Sequence, residues 1–194
     1  LSKSKVVLLA HQSRPGKMDF TSTLGHSREL GRLLGRNVKW VDDIYGKAAL
    51  TAIELMEDGD LLMLNNVRMD EEENSVKGDF ATLSETRIVQ NLSLIADAFV
   101  NDAFACAHRS SPSIVGFTNT IPCIAGELMN HELAKLSQAL DDPKRPCIAV
   151  LGGIKVDDSV IVADNMLRGD VCDHIWVTGG VANLFLYLSG IDLG

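Results

Sequence analysis

Lys5-Val6-Val7-Leu8-Leu9-Ala10 is an unbroken apolar run with one charge at its start. A strand with one wet face alternates apolar and polar residues, whereas a strand covered on both faces does not. The run therefore predicts a strand inside a parallel sheet with helices on either side. His11-Gln12-Ser13-Arg14-Pro15-Gly16-Lys17 follows it as a polar loop.

Outward from that strand the pattern repeats. Leu24, Leu30, Leu33 and Leu34 form a helical stripe, and Gly35 is placed to end it. Val38–Val41 predicts a second strand. Ala49, Leu50, Ile53 and Met56 predict a second helix halted by Asp58-Gly59, and Leu61–Leu64 a third strand. The stretch from Asn65 to Asn74, with its run Glu71-Glu72-Glu73, reads as a solvated loop. Phe80, Leu83, Ile88, Leu92 and Ile95 predict a single third helix. Ala98–Val100 is expected as the fourth strand. Ile124, Leu128, Leu133, Leu136 and Leu140 then mark a long amphipathic helix. Asp141-Asp142-Pro143-Lys144-Arg145-Pro146 has the prolines and charges of a linker, and Cys147–Leu151 begins a new strand.

Strands alternating with helices imply parallel sheets covered on both faces, joined by right-handed crossovers. The expected fold is α/β: two Rossmann-like three-layer domains with parallel sheets, both incomplete within this chain. Residues 1–140 form the first domain, including an interdomain helix at about 124–140. Residues 141–146 form the linker and 147–194 the start of the second domain. The first residue is Leu rather than Met, so the chain is expected to be a piece of something longer.

Composition removes several function classes. With 46% hydrophobic residues in 194, the chain can build a real core. Its net charge of −8, without a run of Lys or Arg, excludes a broad nucleic-acid-binding face. No apolar run approaches the ~20 residues that span a bilayer, and the first residues lack a signal-peptide core. Cys106, Cys123, Cys147 and Cys172 are scattered without metal-ligand spacing, as reduced packed thiols of a cytoplasmic protein would be. Neither a G-x-G-x-x-G fingerprint nor a Walker A loop is present.

The chemistry gathers at strand ends. His11 and Arg14 follow the first strand and Arg68 the third. His108 and Arg109 lie in Val100-Asn101-Asp102-Ala103-Phe104-Ala105-Cys106-Ala107-His108-Arg109, after the fourth. Lys155 follows the first strand of the second domain, in Leu151-Gly152-Gly153-Ile154-Lys155. A lone His-Arg pair in a loop is ordinarily a packing imidazole beside a solvated guanidinium. Ligands of open α/β sheets, however, bind at the carboxyl ends of the strands. Cations shared among those ends in an acidic chain predict an anion site, and arginine's planar fork suits carboxylate or phosphate. Gly152-Gly153 lets backbone approach a phosphate, and the segment from Asp157 starts a helix whose first amides favour anions.

In order and spacing, His11-Gln12-Ser13-Arg14-Pro15, Asn65-Asn66-Val67-Arg68, Val100–Arg109 and Leu151-Gly152-Gly153-Ile154-Lys155-Val156 resemble the signature segments of the phosphoglycerate kinase family. Val177-Thr178-Gly179-Gly180-Val181-Ala182-Asn183-Leu184-Phe185 resembles that family's next glycine-rich segment. Gly152-Gly153-Ile154-Lys155-Val156-Asp157-Asp158-Ser159 is similar to its archaeal form. The resemblance implies a cytoplasmic two-domain phosphotransferase of glycolysis and gluconeogenesis. It would move a phosphoryl group reversibly between ATP and 3-phosphoglycerate, giving ADP and 1,3-bisphosphoglycerate, with Mg2+ bound to the nucleotide. It further implies that His11, Arg14, Arg68 and Arg109 bind 3-phosphoglycerate and that Lys155 is catalytic. Gly152, Gly153, Lys155, Gly179 and Gly180 would line the nucleotide, and the protein itself would ligate no metal. Nucleic acid and membrane are not among the implied partners. The family's two domains would close over the site, and the long helix with its linker is the expected hinge.

Some positions depart from the pattern. Ser159 stands where many members have a second lysine and Ser111 where a second histidine is frequent. Asn65 and Met69 replace the usual Glu and Phe. The family's leading Arg and Asp-x-Asn segment and its Gly-Gly-Gly-Asp loop are not in these 194 residues. The chain measured alone is therefore expected to be inactive or nearly so. The rival reading is a non-catalytic anion-binding α/β module. His108 is expected to support its loop, and Trp40 and Trp176 to be core or partly buried strand residues. His26, His131 and His174 carry no expected role.

Overall fold

The computed structural model describes residues 3–154 and 156–193. The chain divides into two compact units, Leu1–Met129 and Asn130–Gly194. In the first, strands β1 (Val6–Leu8), β2 (Lys39–Trp40) and β3 (Leu61–Met63) form a parallel sheet in the order β1-β3-β2. Val7 lies opposite Leu62, and Trp40 opposite Met63. Because β1 and β3 are neighbours, the loops that leave them run together. Leu64 N donates to Leu8 O at 3.1 Å, and Val67 N to Ala10 O at 3.2 Å. Helix α1 (Leu24–Leu34) ends where expected, at Gly35 in the left-handed conformation with φ 62°. Before helix α2 (Lys47–Glu54) the Asp43 carboxylate accepts from the N–H groups of Ile44 (2.7 Å), Gly46 (3.0 Å) and Ala49 (3.1 Å). Burial pushes its pKa up, but those N–H groups outweigh it and hold the carboxyl below its ordinary value.

The expected third helix and acidic loop need correcting first. The single third helix is two: α4 (Phe80–Ser84) and α5 (Arg87–Ser93). Thr86 at the break is buried, and its hydroxyl donates to Leu83 O at 2.7 Å. A side chain that bonds its own backbone competes with the helix, and the break lets Leu83 and Ile88 both bury completely. The solvated acidic loop is instead helix α3 (Glu71–Ser75), with Asp70 at its N-cap accepting from Glu72 N at 3.4 Å. Its third glutamate, Glu73, is buried.

Strand β4 (Phe99–Asn101) pairs in parallel with β5 (Cys123–Ala125), which the sequence pattern hid inside the long helix. Ile124 is therefore a strand residue opposite Val100, and helix α7 (Glu127–Leu140) begins after it. Gly126 marks the change. A Cβ there would come within 2.4 Å of the Asp102 carboxylate, which accepts from Met129 N at 2.9 Å in the first turn of α7. Leu62, Leu64, Val67, Ile88, Val89 and Phe117 fill the core, with the Phe99 and Phe117 rings stacked at 4.7 Å. Between β4 and β5 lies the short helix α6 (Pro112–Val115).

In the second unit β6 (Ile148–Leu151) pairs in parallel with β7 (His174–Val177). Helices α8 (Val156–Arg168) and α9 (Gly179–Leu188) follow the two strands, burying Ala163 and Val181. Trp176 is not a core residue: it lies opposite Val150, and the two are 61% and 63% exposed. The fold is thus α/β with parallel sheets, as expected. Among the described residues no helix is long and apolar enough to cross a membrane.

Candidate functional site

Asn66 joins the loops that follow β1 and β3. It is fully buried. Its Oδ1 accepts from Gln12 N (3.0 Å) and Arg68 N (3.1 Å), and its Nδ2 donates to Gln12 O (2.8 Å) and Thr21 O (2.9 Å). One amide thus fixes the backbone beside His11 and the backbone of Arg68. Ser13, at φ 56°, adopts a left-handed conformation uncommon outside glycine, and its carbonyl accepts from Arg68 Nη1. A strained residue held this way is typical of binding loops. The loop after β4 is built differently. Asn101 Oδ1 accepts from Ala103 N at 3.1 Å, a 3-10 turn covers Phe104–Cys106, and Arg109 N donates to Cys106 O at 2.9 Å.

These loops bring Arg14, Arg68 and Arg109 together. Burial, then the charges of Arg109 and Arg14, hold the Arg68 guanidinium below its usual pKa, with Cys106 and Glu73 pulling weakly the other way. Among the described residues none of the three arginines has a carboxylate partner within 4 Å. Arg109 Nε is buried and without any hydrogen-bond partner. A buried donor left unmade costs about 1–3 kcal/mol, and more for a charged group. Asp70 Oδ2 shares that condition, but its carboxylate accepts from the Tyr45 hydroxyl at 3.1 Å and faces Arg87 at 3.7 Å. The Arg109 side chain makes no hydrogen bond or ion pair among the described residues.

His11, unlike the arginines, has a carboxylate partner. Its Nε2 is 2.6 Å from Glu73 Oε1 and 3.2 Å from Ser113 Oγ. Ser113 donates its hydroxyl to Glu73 Oε1 at 2.8 Å and its N–H to Oε2 at 2.9 Å. The Glu73 side chain is 1% exposed. His11, Glu73 and Ser113 therefore form a closed knot across three separate segments. His108 does not support its loop as expected: it is exposed, and among the described residues it makes no hydrogen bond. Asn66, Glu73 and Ser113 escaped the sequence reading, which gave them no role; the one hint was Asn66 two residues before Arg68.

In the second unit the loops after β6 and β7 pack backbone to backbone. A Cβ on Gly152 would meet Thr178 Cγ2 at 2.5 Å, one on Gly179 would meet Gly153 N at 3.3 Å, and one on Gly180 would meet Gly153 O at 3.0 Å. Gly153 and Gly179 also have φ of +108° and +60°, which favour glycine. The four glycines leave room for exposed backbone, the requirement for approaching a phosphate chain. Lys155, the expected catalytic residue, lies outside the described residues. Among the described residues no group of three or more His, Cys, Asp or Glu side chains is placed to hold a metal ion.

A family model described as phosphoglycerate kinase matches residues 1–194. The chain is similar to a phosphoglycerate kinase of Methanobacterium bryantii, with 50% identity over 98% of the chain and 46% of the relative. It is similar to phosphoglycerate kinase 2 of Methanosarcina acetivorans, at 50% identity over 100% of the chain and 46% of the relative. A crystal structure of phosphoglycerate kinase from Pyrococcus horikoshii OT3 superposes with a TM-score of 0.92 at 41% identity, over 98% of this chain and 47% of that one. The chain spans about half the length of the curated relatives it matches.

Proposed function

The chain belongs to the phosphoglycerate kinase family, and on that premise we propose that its strand-end loops bind 3-phosphoglycerate for phosphoryl exchange with ATP. The observation that carries the reading is the buried, unpartnered Nε of Arg109 in the company of Arg68 and Arg14. Like charges gathered without carboxylate partners are costly in the folded protein alone. A ligand with an anion at each end, as in 3-phosphoglycerate, offsets that cost and meets arginine's donors in pairs. In this reading Arg14, Arg68 and Arg109 hold the acid by charge and His11 contributes a ring nitrogen. The proposed reaction is ATP and 3-phosphoglycerate giving ADP and 1,3-bisphosphoglycerate, reversibly, and a cytoplasmic location goes with it.

Phosphoryl transfer asks a protein mainly for positioning and for neutralising charge on the transferring oxygens. The acid-side arginines supply the first of these for the acceptor carboxylate. Gly152, Gly153, Gly179 and Gly180 would admit the nucleotide close to backbone N–H groups, and Lys155 would neutralise the transferring group. Mg2+ bound with the nucleotide would add charge neutralisation on its phosphate oxygens.

Calorimetry with 3-phosphoglycerate tests the acid site. Arg109→Ala should weaken binding by about 1.5–3 kcal/mol, the value of a hydrogen bond to a charged group. Equal binding by wild type and variant would remove Arg109 from the site.

A further inference from the structure

Glu73 stands third in a run of three glutamates, yet it is the one that turns inward. We infer that Glu73 is a positioning residue of the anion site: it keeps a proton on His11 Nε2 and leaves Nδ1 to meet the bound acid. The inference rests on the function proposed above and extends it to a residue that does not touch the ligand.

The geometry is closed on one side of the ring and open on the other. An ionised carboxylate only accepts hydrogen bonds. With Glu73 Oε1 at 2.6 Å, Nε2 is the nitrogen that donates. Ser113 fixes both carboxylate oxygens, its hydroxyl to Oε1 at 2.8 Å and its N–H to Oε2 at 2.9 Å, so the acceptor cannot swing away. The hydrogen bond made by one imidazole nitrogen decides what the other presents. Among the described residues nothing bonds His11 Nδ1. That nitrogen can accept from a ligand hydroxyl when the ring is neutral and donate to an oxyanion when it is protonated. Ser113 also lies four residues beyond Arg109, so the same carboxylate ties the exit of the arginine loop to the histidine loop.

A rival role for Glu73 is that of a plain counter-charge, since its carboxylate also favours the charged form of Arg68. The two roles predict opposite signs. Removing a counter-charge beside an anion site tightens anion binding, whereas releasing the histidine weakens it.

The test is Glu73→Gln in this chain, read by calorimetry with 3-phosphoglycerate and by long-range 15N–1H spectra of the His11 ring. Wild type should show the proton on Nε2. The glutamine amide donates as well as accepts, so the variant should populate the other tautomer and bind 3-phosphoglycerate roughly tenfold more weakly. In a His11→Ala background the same substitution should change the affinity no further, which a merely structural role would not obey. Unchanged or tighter binding by Glu73→Gln, a wild-type ring without a proton on Nε2, or an equal loss in the His11→Ala background would each overturn the inference. Ser113→Ala, which keeps the Glu73 charge and loses one donor to it, should shift the same readouts in the same direction by about threefold. It serves if Glu73→Gln does not fold. If wild type fails to bind 3-phosphoglycerate while its ring stays locked on Nε2 and Glu73→Gln releases it, the proposed ligand falls and the hold of Glu73 on His11 stands.

Discussion

Glu73 is a buried charged side chain, and Arg109 in the same unit is a half-buried one whose Nε is withdrawn from water. The Glu73 carboxylate takes hydrogen bonds from His11 Nε2, Ser113 Oγ and Ser113 N, all within 2.9 Å. Arg109 Nε, at the end of a loop four residues before Ser113, has no partner. Burying a charge is tolerable when it is paired and hydrogen-bonded, and costly otherwise. In the proposed reading the difference separates scaffold from site. The knot around Glu73, with the Asn66 clamp beside it, spends its polar groups on other parts of the protein. In the arginine cluster only Arg68 gives a side-chain donor to the protein among the described residues, at Ser13 O, and the folded state bears the repulsion. A site preorganised for an anion has this form: rigid supports whose bonds are complete, presenting donors whose bonds are not.

The largest effect is expected on the scaffold side. Asn66→Ala deletes a fully buried amide with four backbone partners, Gln12 N, Gln12 O, Thr21 O and Arg68 N. Leaving several of those groups unmade should cost about 3–5 kcal/mol of stability. Urea unfolding would read this as a lower midpoint at unchanged slope. A loss below about 1 kcal/mol would mean that the two loops hold each other without the clamp.

Arg109→Ala should act with opposite sign on stability and on binding. It removes an unmade donor and a like charge near Arg68, so unfolding stability should hold or rise by up to about 1 kcal/mol. Wild type should gain about 1.4 kcal/mol in inorganic phosphate at tenfold its Kd, and the variant should lose most of that gain. If Arg109→Ala instead destabilises the free protein by more than about 1 kcal/mol, the arginine belongs to the scaffold and the contrast with Glu73 collapses.

How much of this could be read from residues alone follows from how far apart the partners lie. β1 and the glycine end of α1 were legible because apolar runs and helix stops are local signals. So were the strand-end positions of Arg14, Arg68 and Arg109, since the end of an apolar run can be seen in sequence. The three-residue strand β5 was not, because Ile124 also fits the stripe that continues through Leu128 and Leu133, and only Gly126 against Asp102 interrupts it. The two helices read as one for the same reason: Leu83 and Ile88 fit a single stripe, and the break depends on a threonine bonding backward. Glu73 was misread because its partner His11 is 62 residues away, and an acidic run carries no sign of which carboxylate turns inward. Trp176 was misjudged because period and residue type indicate strand membership, whereas exposure depends on what lies over the strand.

The smallest expected effect distinguishes a completed carboxylate that serves the site from one that serves only the fold. Asp43 resembles Glu73 in taking several donors, but all of them are backbone N–H groups at the start of α2. Its pKa lies below the ordinary 3.8 because those N–H groups outweigh the upward push of burial. A depressed carboxylate contributes stability that is fully present above the unfolded-state pKa and lost as pH falls through the folded one. Asp43→Ala should therefore cost about 1 kcal/mol near neutral pH, as loss of a capping side chain does. The gap to wild type should narrow only below pH about 4, where wild type begins to protonate the cap. Affinity for 3-phosphoglycerate should stay unchanged across that series. Weaker binding by Asp43→Ala at neutral pH would show that strain in α2 reaches the arginine loops, and that completeness of hydrogen bonding alone does not mark where the site begins.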